Sequence, residues 1–217
     1  MRLPLRAQRD RAARRLARPR RLLHRDDAVA LTFDDGPDAT FTPRVLEVLA
    51  RHEVHATFFV VGDAARREPG LVREVVAAGH AVGSHSMTHP EVWTLSARAL
   101  HREYRDGRAV VEDITGAPVT RFRPPNGYVD LNGALAMRAL GLRPWLWTHD
   151  SLDWEPGATA SSVAAVGVEP GSVVLLHDGL FGPRDPSASD RSATVAALEP
   201  LLAAGRDAGL RFVPVPA

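Results

Sequence analysis

Short apolar runs alternate with amphipathic helical patterns from residue 26 to the end of the chain. This alternation is typical of βαβ units, in which helices cover a largely parallel sheet. It predicts about seven strands, at residues 28–33, 56–61, 80–82, 119–123, 144–148, 172–176 and 210–215. That number of strands with intervening helices suits either a single α/β barrel or an open doubly wound sheet.

Helices are predicted between these strands, at residues 69–78, 96–115, 132–140 and 192–208, with a further one that starts near residue 42. Thr42 and Pro43 suit an N-cap and a first helical position, and Gly79 and Gly141 suit helix stops. No Gly-rich phosphate-binding loop follows any predicted strand. We favour the barrel because the polar clusters described below all follow strands, and those strand ends form one face of a barrel.

Length and composition limit the chemistry that is available. The 217 residues are enough for one full-sized domain. There is no cysteine, so a disulfide framework and a thiolate metal site are both excluded. A metal ion would have to be bound by carboxylates and by some of the nine histidines.

Residues 1–25 are predicted to be a separate extension, either disordered or weakly helical, that precedes a catalytic domain at residues 26–217. The extension carries ten arginines and one acid, whereas the remainder carries 17 arginines and 25 acids. Nucleic acid or an anionic membrane surface are alternative partners for such a basic segment.

The sequence shows no signal peptide, because no apolar stretch in the extension reaches the roughly 7–15 residues of a signal-peptide core. It shows no transmembrane helix either. As written, the chain is expected to be cytoplasmic, with extracellular or cell-wall action if the start codon has been wrongly chosen.

Two adjacent carboxylates, Asp34 and Asp35, end the first predicted strand in 29-VALTFDDGPDAT-40. Asp-Gly and Gly-Pro are ordinary turn sequences, so the pair can simply mark the end of a strand. Ligand-binding groups of α/β folds also lie at the carboxyl ends of strands. Partners elsewhere in the chain decide between these interpretations.

Two histidines, His85 and His89, follow the third predicted strand in 83-GSHSMTHP-90. A helical turn would place both imidazoles on the same side. Imidazole and carboxylate together are common ligands of Zn²⁺ at catalytic sites, so the histidines and an aspartate at another strand end favour a metal site. Further polar clusters follow other apolar runs, in 121-RFRPPNGY-128, 147-WTHDSLDW-154 and 174-VLLHDG-179.

The motifs TFDDGP, HxxxH, RPPxG, DxxDW and LLHDG, in this order, resemble those of the polysaccharide deacetylase family. This family is also called carbohydrate esterase family 4 or the NodB homology domain. The resemblance covers residues 28 to about 215. It implies a distorted (β/α) barrel of about seven parallel strands and a metal-dependent deacetylase that acts on N-acetylated sugars.

The resemblance also implies roles for the motif residues. Asp35, His85 and His89 would bind the metal ion, which is usually zinc, with cobalt or another divalent ion as alternatives. Asp34 would be the general base, and Arg123 would hold and orient it.

On the other side of the reaction, the resemblance makes His177 the general acid and Asp153 the residue that tunes it. Asp150 lies close enough in the sequence to compete with Asp153 for that role. Trp154 and Leu175 would form walls of the pocket.

One position departs from the family pattern. The residue after the paired prolines is usually Tyr, whereas this chain has Asn126 after Pro125. The family uses the backbone N–H of that residue toward the oxyanion, so the substitution is expected to change the pocket wall and the choice of substrate rather than to abolish activity. Four other histidines are expected to be surface or structural residues, and three tryptophans to be core or groove wall: His52, His55, His80, His101, Trp93, Trp145 and Trp147.

These observations predict a hydrolase that removes N-acetyl groups from glycans containing N-acetylhexosamine, of the chitooligosaccharide or peptidoglycan type. Amide hydrolysis needs an activated water, a stabilised oxyanion and a proton for the leaving amine. The alternatives are an O-acetyl esterase acting on sugars such as xylan, a deacetylase of a small intracellular N-acetyl sugar, and a metal-free carbohydrate-binding relative. The expected partner is a glycan or amino-sugar substrate, and no feature indicates a protein partner. The loop at residues 179–190 is expected to border the substrate groove.

Overall fold

The structure, a computed structural model, describes residues 12–181 and 189–217. The strands within these residues are β1 (Ala28–Asp34), β2 (Thr57–Val60), β3 (Ala81–Ser84), β4 (Arg121–Phe122), β5 (Arg143–Pro144), β6 (His149–Asp150), β7 (Val173–His177) and β8 (Arg211–Phe212). The helices are α1 (Thr42–Arg51), α2 (Gly62–Arg67), α3 (Pro69–Ala77), α4 (Ala97–Thr115), α5 (Leu131–Ala139), α6 (Ala160–Ala164) and α7 (Ser192–Asp207). Residues 12–17 are also helical, and 3₁₀ turns lie at Val92–Thr94 and Pro125–Gly127.

The strands form one parallel sheet in the order β5-β4-β3-β2-β1-β7-β6, and β8 pairs with the amino end of β1. Neighbours in this order are the neighbours of a (β/α) barrel, except that β5 and β6 form its two edges. The sheet therefore curls into a barrel that is open on one side, and the predicted distorted barrel is confirmed.

The prediction of a single strand at residues 144–148 is wrong. Pro144 is the last residue of β5, and β6 begins at His149, directly after the predicted strand. β5 and β6 lie at opposite edges of the sheet, and residues 145–148 cross the opening between them. Trp145 N donates to Phe122 O (2.8 Å) on one side, and Thr148 N donates to Val173 O (2.9 Å) on the other. Residues 144–146 are buried, but the run spans a gap instead of extending one strand.

The second half of the Arg-rich extension packs on the barrel. Arg20 lies beside the crossing segment, where its N–H donates to Pro144 O (2.9 Å) and its carbonyl accepts from Leu146 N (2.8 Å). Ala13 is fully buried, and Leu23 is 7% exposed. The boundary predicted after residue 25 is therefore not a boundary in the packing, because the few apolar residues of this segment join the core. Residues 1–11 lie outside the described part of the chain.

Helix ends were predicted with mixed success. Gly79 and Gly141, which follow α3 and α5, have φ values of 83° and 66°, as expected of helix stops. Thr42 is not the N-cap of α1: that position is taken by Phe41, which makes no side-chain cap. The Thr42 hydroxyl instead accepts from Asp38 N (2.8 Å) and donates to the Asp178 carboxylate (2.5 Å).

The alternation of side chains along β1 brings a polar group into the barrel. Val29, Leu31 and Phe33 belong to the main hydrophobic core, whereas Ala28 and Ala30 belong to a separate cluster on the other face of the strand. Because side chains alternate between the faces of a strand, Asp34 shares the face of these alanines.

Across the described residues, no helix is both long and apolar enough to span a membrane.

Candidate active site

The two adjacent aspartates both face the same cleft, although neighbouring side chains of a strand point to opposite sides. Asp34 is the last residue of β1, and Asp35 has a φ of 72°, in the left-handed region. That turn brings the Asp35 carboxylate beside the Asp34 carboxylate. His85 Nε2 lies 3.6 Å from Asp34 Oδ2 and 3.4 Å from Asp35 Oδ1. A left-handed backbone conformation costs free energy for a residue other than glycine. Residues strained in this way are typical of functional sites.

Asp35, His85 and His89 form a cluster that can hold a metal ion, with one ligand atom from each residue within 4.8 Å of the others. Asp35 Oδ1 lies 3.4 Å from His85 Nε2 and 3.6 Å from His89 Nε2. Ligand bonds of about 2.0–2.2 Å in tetrahedral geometry separate neighbouring ligand atoms by about 3.4 Å. Asp35 Oδ1 is also buried without a hydrogen-bond partner among the described residues. The donor set and its spacing therefore fit a divalent ion such as zinc.

The two histidines lie on a loop and not on a helical turn, which corrects the expectation from their spacing. The loop follows β3, and Ser86 and His89 have φ values of 69° and 49°. The imidazole centroids are nevertheless only 4.8 Å apart. His85 Nδ1 lies 2.7 Å from Arg123 O. A carbonyl only accepts, so Nδ1 carries the proton and Nε2 keeps the lone pair that a metal ligand needs.

Arg123 follows β4 and is held rigidly in the barrel, with no exposed surface. Its Nη1 donates to Asp34 Oδ1 (2.7 Å) and Thr32 Oγ1 (2.9 Å), and its Nε donates to Trp145 O (3.0 Å). Its guanidinium lies over the Phe59 ring, at 4.3 Å from the centroid. The Asp34 carboxylate is thus fixed by one oxygen, and its other oxygen faces His85, one of the three residues that can hold a metal ion.

The charge on Asp34 depends on opposing effects. Burial raises the pKa of Asp34, the positive charges of Arg123 and His177 lower it, and the net result is a pKa of about 6. A carboxylate with this pKa is ionised at neutral pH and more basic than an exposed one. Asp34 can therefore accept a proton beside the residues that can hold a metal ion.

His177 is the last residue of β7, where it pairs in register with Asp34. Its Nδ1 lies 2.7 Å from Asp153 Oδ1, and its backbone N–H donates to Asp153 Oδ2 (2.8 Å). Burial lowers the pKa of His177, but the carboxylates of Asp153, Asp35 and Asp34 together outweigh burial, and the pKa rises to about 9. His177 is therefore protonated at neutral pH, as a proton donor must be.

A family model described as polysaccharide deacetylase matches residues 23–145, more than half of the chain. The chain belongs to the polysaccharide deacetylase family. The predicted family and enzyme class are therefore confirmed, and this family is generally metal-dependent.

Individual relatives agree with this membership. A chitooligosaccharide deacetylase of Sinorhizobium fredii is 42% identical over 189 residues, which cover 84% of this chain and 87% of the relative. A peptidoglycan-N-acetylglucosamine deacetylase of Bacillus cereus is 38% identical over 191 residues, which cover 86% of this chain and 85% of the relative. Among solved structures, the Bc1960 peptidoglycan N-acetylglucosamine deacetylase matches with a TM-score of 0.80 at 30% identity, covering 87% of this chain and 86% of that chain.

The cleft of this family member has a volume of about 640 Å³ and contains most of the predicted residues. Asn126, Trp154 and Leu175 line it together with the aspartates and histidines described above. Pro125 is buried at the start of the 3₁₀ turn that carries Asn126, whose φ is 55°. Asp150 also lines the cleft, but its carboxylate accepts from Leu152 N (3.0 Å), and Asp153 is the acid that contacts His177.

The other aromatic and histidine residues divide between core and surface. Trp145 is buried, Trp147 lines the cleft, and Trp93 lines the cleft with 53% of its surface exposed. His80 is buried against His55, at 5.8 Å between ring centroids. His52 lies in an ion-pair network with Glu199 and Arg51. None of the four histidines predicted to be structural lines the cleft: His52, His55, His80 and His101. Within the loop at residues 179–190, Leu180 and Phe181 line the cleft, and residues 182–188 lie outside the described part of the chain.

Three residues at the site were not found by sequence reasoning. Thr194 Oγ1 donates to Asp153 Oδ2 (2.7 Å), and Arg191 Nη1 donates to Asp153 O (2.6 Å). Asp178 N donates to Asp34 O (3.3 Å), and burial raises the pKa of Asp178 to about 7. Arg191 and Thr194 carry no local signal, since they belong to the start of an ordinary helix. Asp178 did stand in the quoted VLLHDG motif.

Proposed function

We propose that this protein hydrolyses the N-acetyl groups of glycans that contain N-acetylhexosamine, of the chitooligosaccharide or peptidoglycan type. The metal would be zinc, with cobalt or another divalent ion as alternatives, held by Asp35, His85 and His89. One observation carries the proposal: the cleft combines these ligands with a separately held base, Asp34, and a separately held acid, His177. The named relatives support the same activity.

When bound, a divalent ion lowers the pKa of a water molecule and polarises the acetyl carbonyl. Asp34 then accepts a proton from the attacking water at the oxygen that is not bonded to Arg123. Arg123 holds one oxygen of Asp34 and so keeps the carboxylate oriented toward the cleft. The two aspartates therefore have different work: one binds the metal and the other exchanges a proton.

His177 supplies the second proton. Its Nδ1 proton is engaged with Asp153, so Nε2 is the atom that donates to the nitrogen of the breaking amide bond. An amine leaves only when it is protonated, whereas a sugar alkoxide needs less help. A buried imidazolium held by a carboxylate thus favours N-acetyl over O-acetyl substrates. We assign the backbone N–H of Asn126 to the oxyanion, because Asn126 lines the cleft and the resemblance to the family gives this position that role.

The first test separates the two aspartates. Asp34→Asn keeps size and shape but removes the proton acceptor, so we expect bound metal to remain and turnover to fall by roughly 10²–10⁴-fold. Asp35→Asn should weaken metal retention, since an amide is a poorer ligand than a carboxylate, and excess metal should restore part of its activity. Metal content and deacetylation of a chitooligosaccharide across a zinc titration measure both effects. Rescue of Asp34→Asn by metal would show that the roles are reversed.

The second test concerns the histidine ligands. His85→Ala and His89→Ala should lose both bound metal and turnover, while His101→Ala, outside the cleft, should lose neither. Full metal occupancy in His89→Ala would contradict the ligand assignment. Parallel assays on N-acetylated glycans, a monomeric N-acetylated sugar and acetylated xylan separate the proposed activity from its alternatives.

A further inference from the structure

Trp93 is exposed in the cleft and has no role in the proposed reaction. Its side chain is 53% exposed, yet it lines the same cavity as His89 and Thr88. Exposed aromatic surface in a concave site is costly in water and is typical of ligand contact. Trp93 lies four residues beyond His89, so it is connected directly to the loop that carries a metal ligand.

The backbone and a neighbouring ring hold Trp93 in place. It belongs to the 3₁₀ turn Val92–Thr94, in which the preceding side chain, Val92, is 1% exposed. Thr94 Oγ1 closes the turn by donating to Glu91 O (2.7 Å). The Tyr128 ring packs edge-on against the indole, with centroids 5.6 Å apart and planes at 76°. A surface that is ordered before the ligand arrives loses little entropy on binding.

A second tryptophan belongs to the loop on the acid side of the site. Trp154 follows Asp153, which holds His177, and it is 39% exposed in the cleft. The cleft is thus lined by one half-exposed indole from the loop of the metal ligands and by another from the loop of the acid. Its volume of about 640 Å³ is within the range of pockets that enclose whole ligands, and far more than an acetyl group needs.

We propose that Trp93 is a stacking platform for a second sugar ring of the glycan, next to the ring that loses its acetyl group. The apolar C–H face of a pyranose covers an indole face and displaces water from it. This inference rests on the proposed function and narrows its substrate class to chains of two or more sugars. It opposes the alternative of a monomeric N-acetyl sugar.

The experiment compares Trp93→Ala with the original protein on N-acetylglucosamine and its oligomers of two to five units. We expect KM for the tetramer to rise about three- to tenfold with little change in kcat, as when an interaction common to ground and transition states is removed. Values for the monomer should not change. Trp93→Phe should keep most of the oligomer preference, because it retains an aromatic face.

Leu135→Ala is the matched control, since Leu135 is 51% exposed on α5 and does not line the cleft. It should leave all constants unchanged. Equal losses on monomer and oligomers, or a fall in kcat together with the melting temperature, would assign Trp93 to the reacting ring or to the fold and overturn the platform. Unchanged constants on every oligomer would also overturn it.

A binding measurement keeps this inference separate from the proposed activity. Titration calorimetry with the tetramer uses Asp34→Asn protein, with and without the Trp93→Ala change. A three- to tenfold weaker affinity in the double variant supports the platform even if the original protein deacetylates none of the substrates, in which case the proposed function alone fails. Equal affinities, or no binding to Asp34→Asn protein, overturn the platform.

Discussion

Among the carboxylates that favour protonated His177, Asp153 has the largest effect. Asp153 accepts hydrogen bonds from the His177 backbone, from its imidazole and from Thr194, and it is 2% exposed. Burial opposes the charge of Asp153, but the interactions with His177 outweigh it and lower the pKa of the carboxyl. The pair therefore consists of an anion and a cation that stabilise each other inside the protein.

The pH profile tests this dependence. In the proposed mechanism His177 donates a proton, so activity that depends on it is present below its pKa of about 9 and is lost as the pH rises through that value. In Asp153→Asn the largest raising effect on the pKa of His177 disappears, while Asp35 and Asp34 still raise that pKa and burial still lowers it. We expect the alkaline limb of kcat/KM to move to lower pH, with a loss of roughly 10–100-fold at pH 8. The measurement is kcat/KM for a chitooligosaccharide between pH 5 and 10.

Asp150→Asn is the control for that measurement, because Asp150 lines the same cleft but bonds Leu152 N instead of His177. Its alkaline limb should coincide with that of the original protein. An unshifted limb in Asp153→Asn would show that another group donates the proton.

Gly36 must be glycine because the Asp178 carboxylate occupies the space that a side chain would need. A Cβ at this position would lie 2.2 Å from Asp178 Oδ2, so Gly36→Ala forces the buried carboxyl away from Thr42. We expect a loss of roughly 1–3 kcal/mol in the free energy of unfolding, and weaker metal retention because Gly36 follows Asp35. Gly70→Ala is the control, since nothing lies within 4 Å of its Cβ. It lies in α3, where alanine is favoured over glycine, so its stability should not fall. Urea denaturation compares the two, and equal stability would contradict the contact.

Among the elements, the segment at residues 18–25 acts as part of the barrel. It lies along the crossing between β5 and β6, and Leu23 N donates to Gly171 O (2.9 Å) beside the start of β7. Leu22 and Leu23 offer a matched pair, because they are adjacent leucines that are 48% and 7% exposed. Leu23→Ala should cost about 2–4 kcal/mol of unfolding free energy, and Leu22→Ala less than about 0.5 kcal/mol. Similar losses in thermal or urea unfolding would mean that the segment is not integral to the fold.

The strands that carry the centre of the sheet were predictable because they are apolar runs of ordinary length between turn residues. The predictions for β1, β2 and β7 agree with the structure to within one residue at each end. Short helices such as α2 and α6, with six and five residues, were missed because they are too short to show a helical period. The crossing at residues 144–148 was misassigned because burial alone makes a run apolar, whatever its direction.

At the site, motifs predicted the residues that the cleft brings together, including Asp34 and His177 from opposite ends of the chain. Their neighbours in the sequence supplied the signal. Thr194 and Arg191 could not be predicted in this way, since their contacts with Asp153 span about forty residues and depend on how α7 packs. The left-handed turn at Asp35 also has no sequence signature, although it decides how the two carboxylates share the site.

On the scale of the whole molecule, the parallel sheet collects the reactive groups at one rim, and its opposite rim carries a different titratable pair. His80 precedes β3 and is 7% exposed, and its Nδ1 accepts from Ala56 N (3.1 Å) next to the ring of Phe58. Burial and the neighbouring His55 lower the pKa of His80 to about 4. This histidine is neutral in the folded protein and must be protonated at the expense of the fold.

The sign of the effect follows from comparing folded and unfolded states. An unfolded histidine has a pKa of about 6.5 and takes up a proton first as the pH falls. Stability from neutral His80 is therefore present above about pH 6.5 and is lost as the pH falls toward about 4. The raised pKa values of Asp34 and Asp178 act in the opposite direction, because a buried carboxyl that must ionise makes the folded protein less stable as the pH rises. The contribution of His80 must therefore be isolated by a substitution at that position alone.

His80→Asn isolates it, because the amide oxygen can accept from Ala56 N but cannot be protonated in this range. Urea unfolding in the presence of a chelator, so that metal release does not contribute, should show a less stable variant at pH 7 whose stability changes less between pH 7 and 4.5. The difference in that change should be about 1–3 kcal/mol. His101→Asn, on α4, should follow the original protein throughout. Parallel curves for His80→Asn and the original protein would show that His80 is protonated at no cost to the fold, and that the acid sensitivity arises elsewhere.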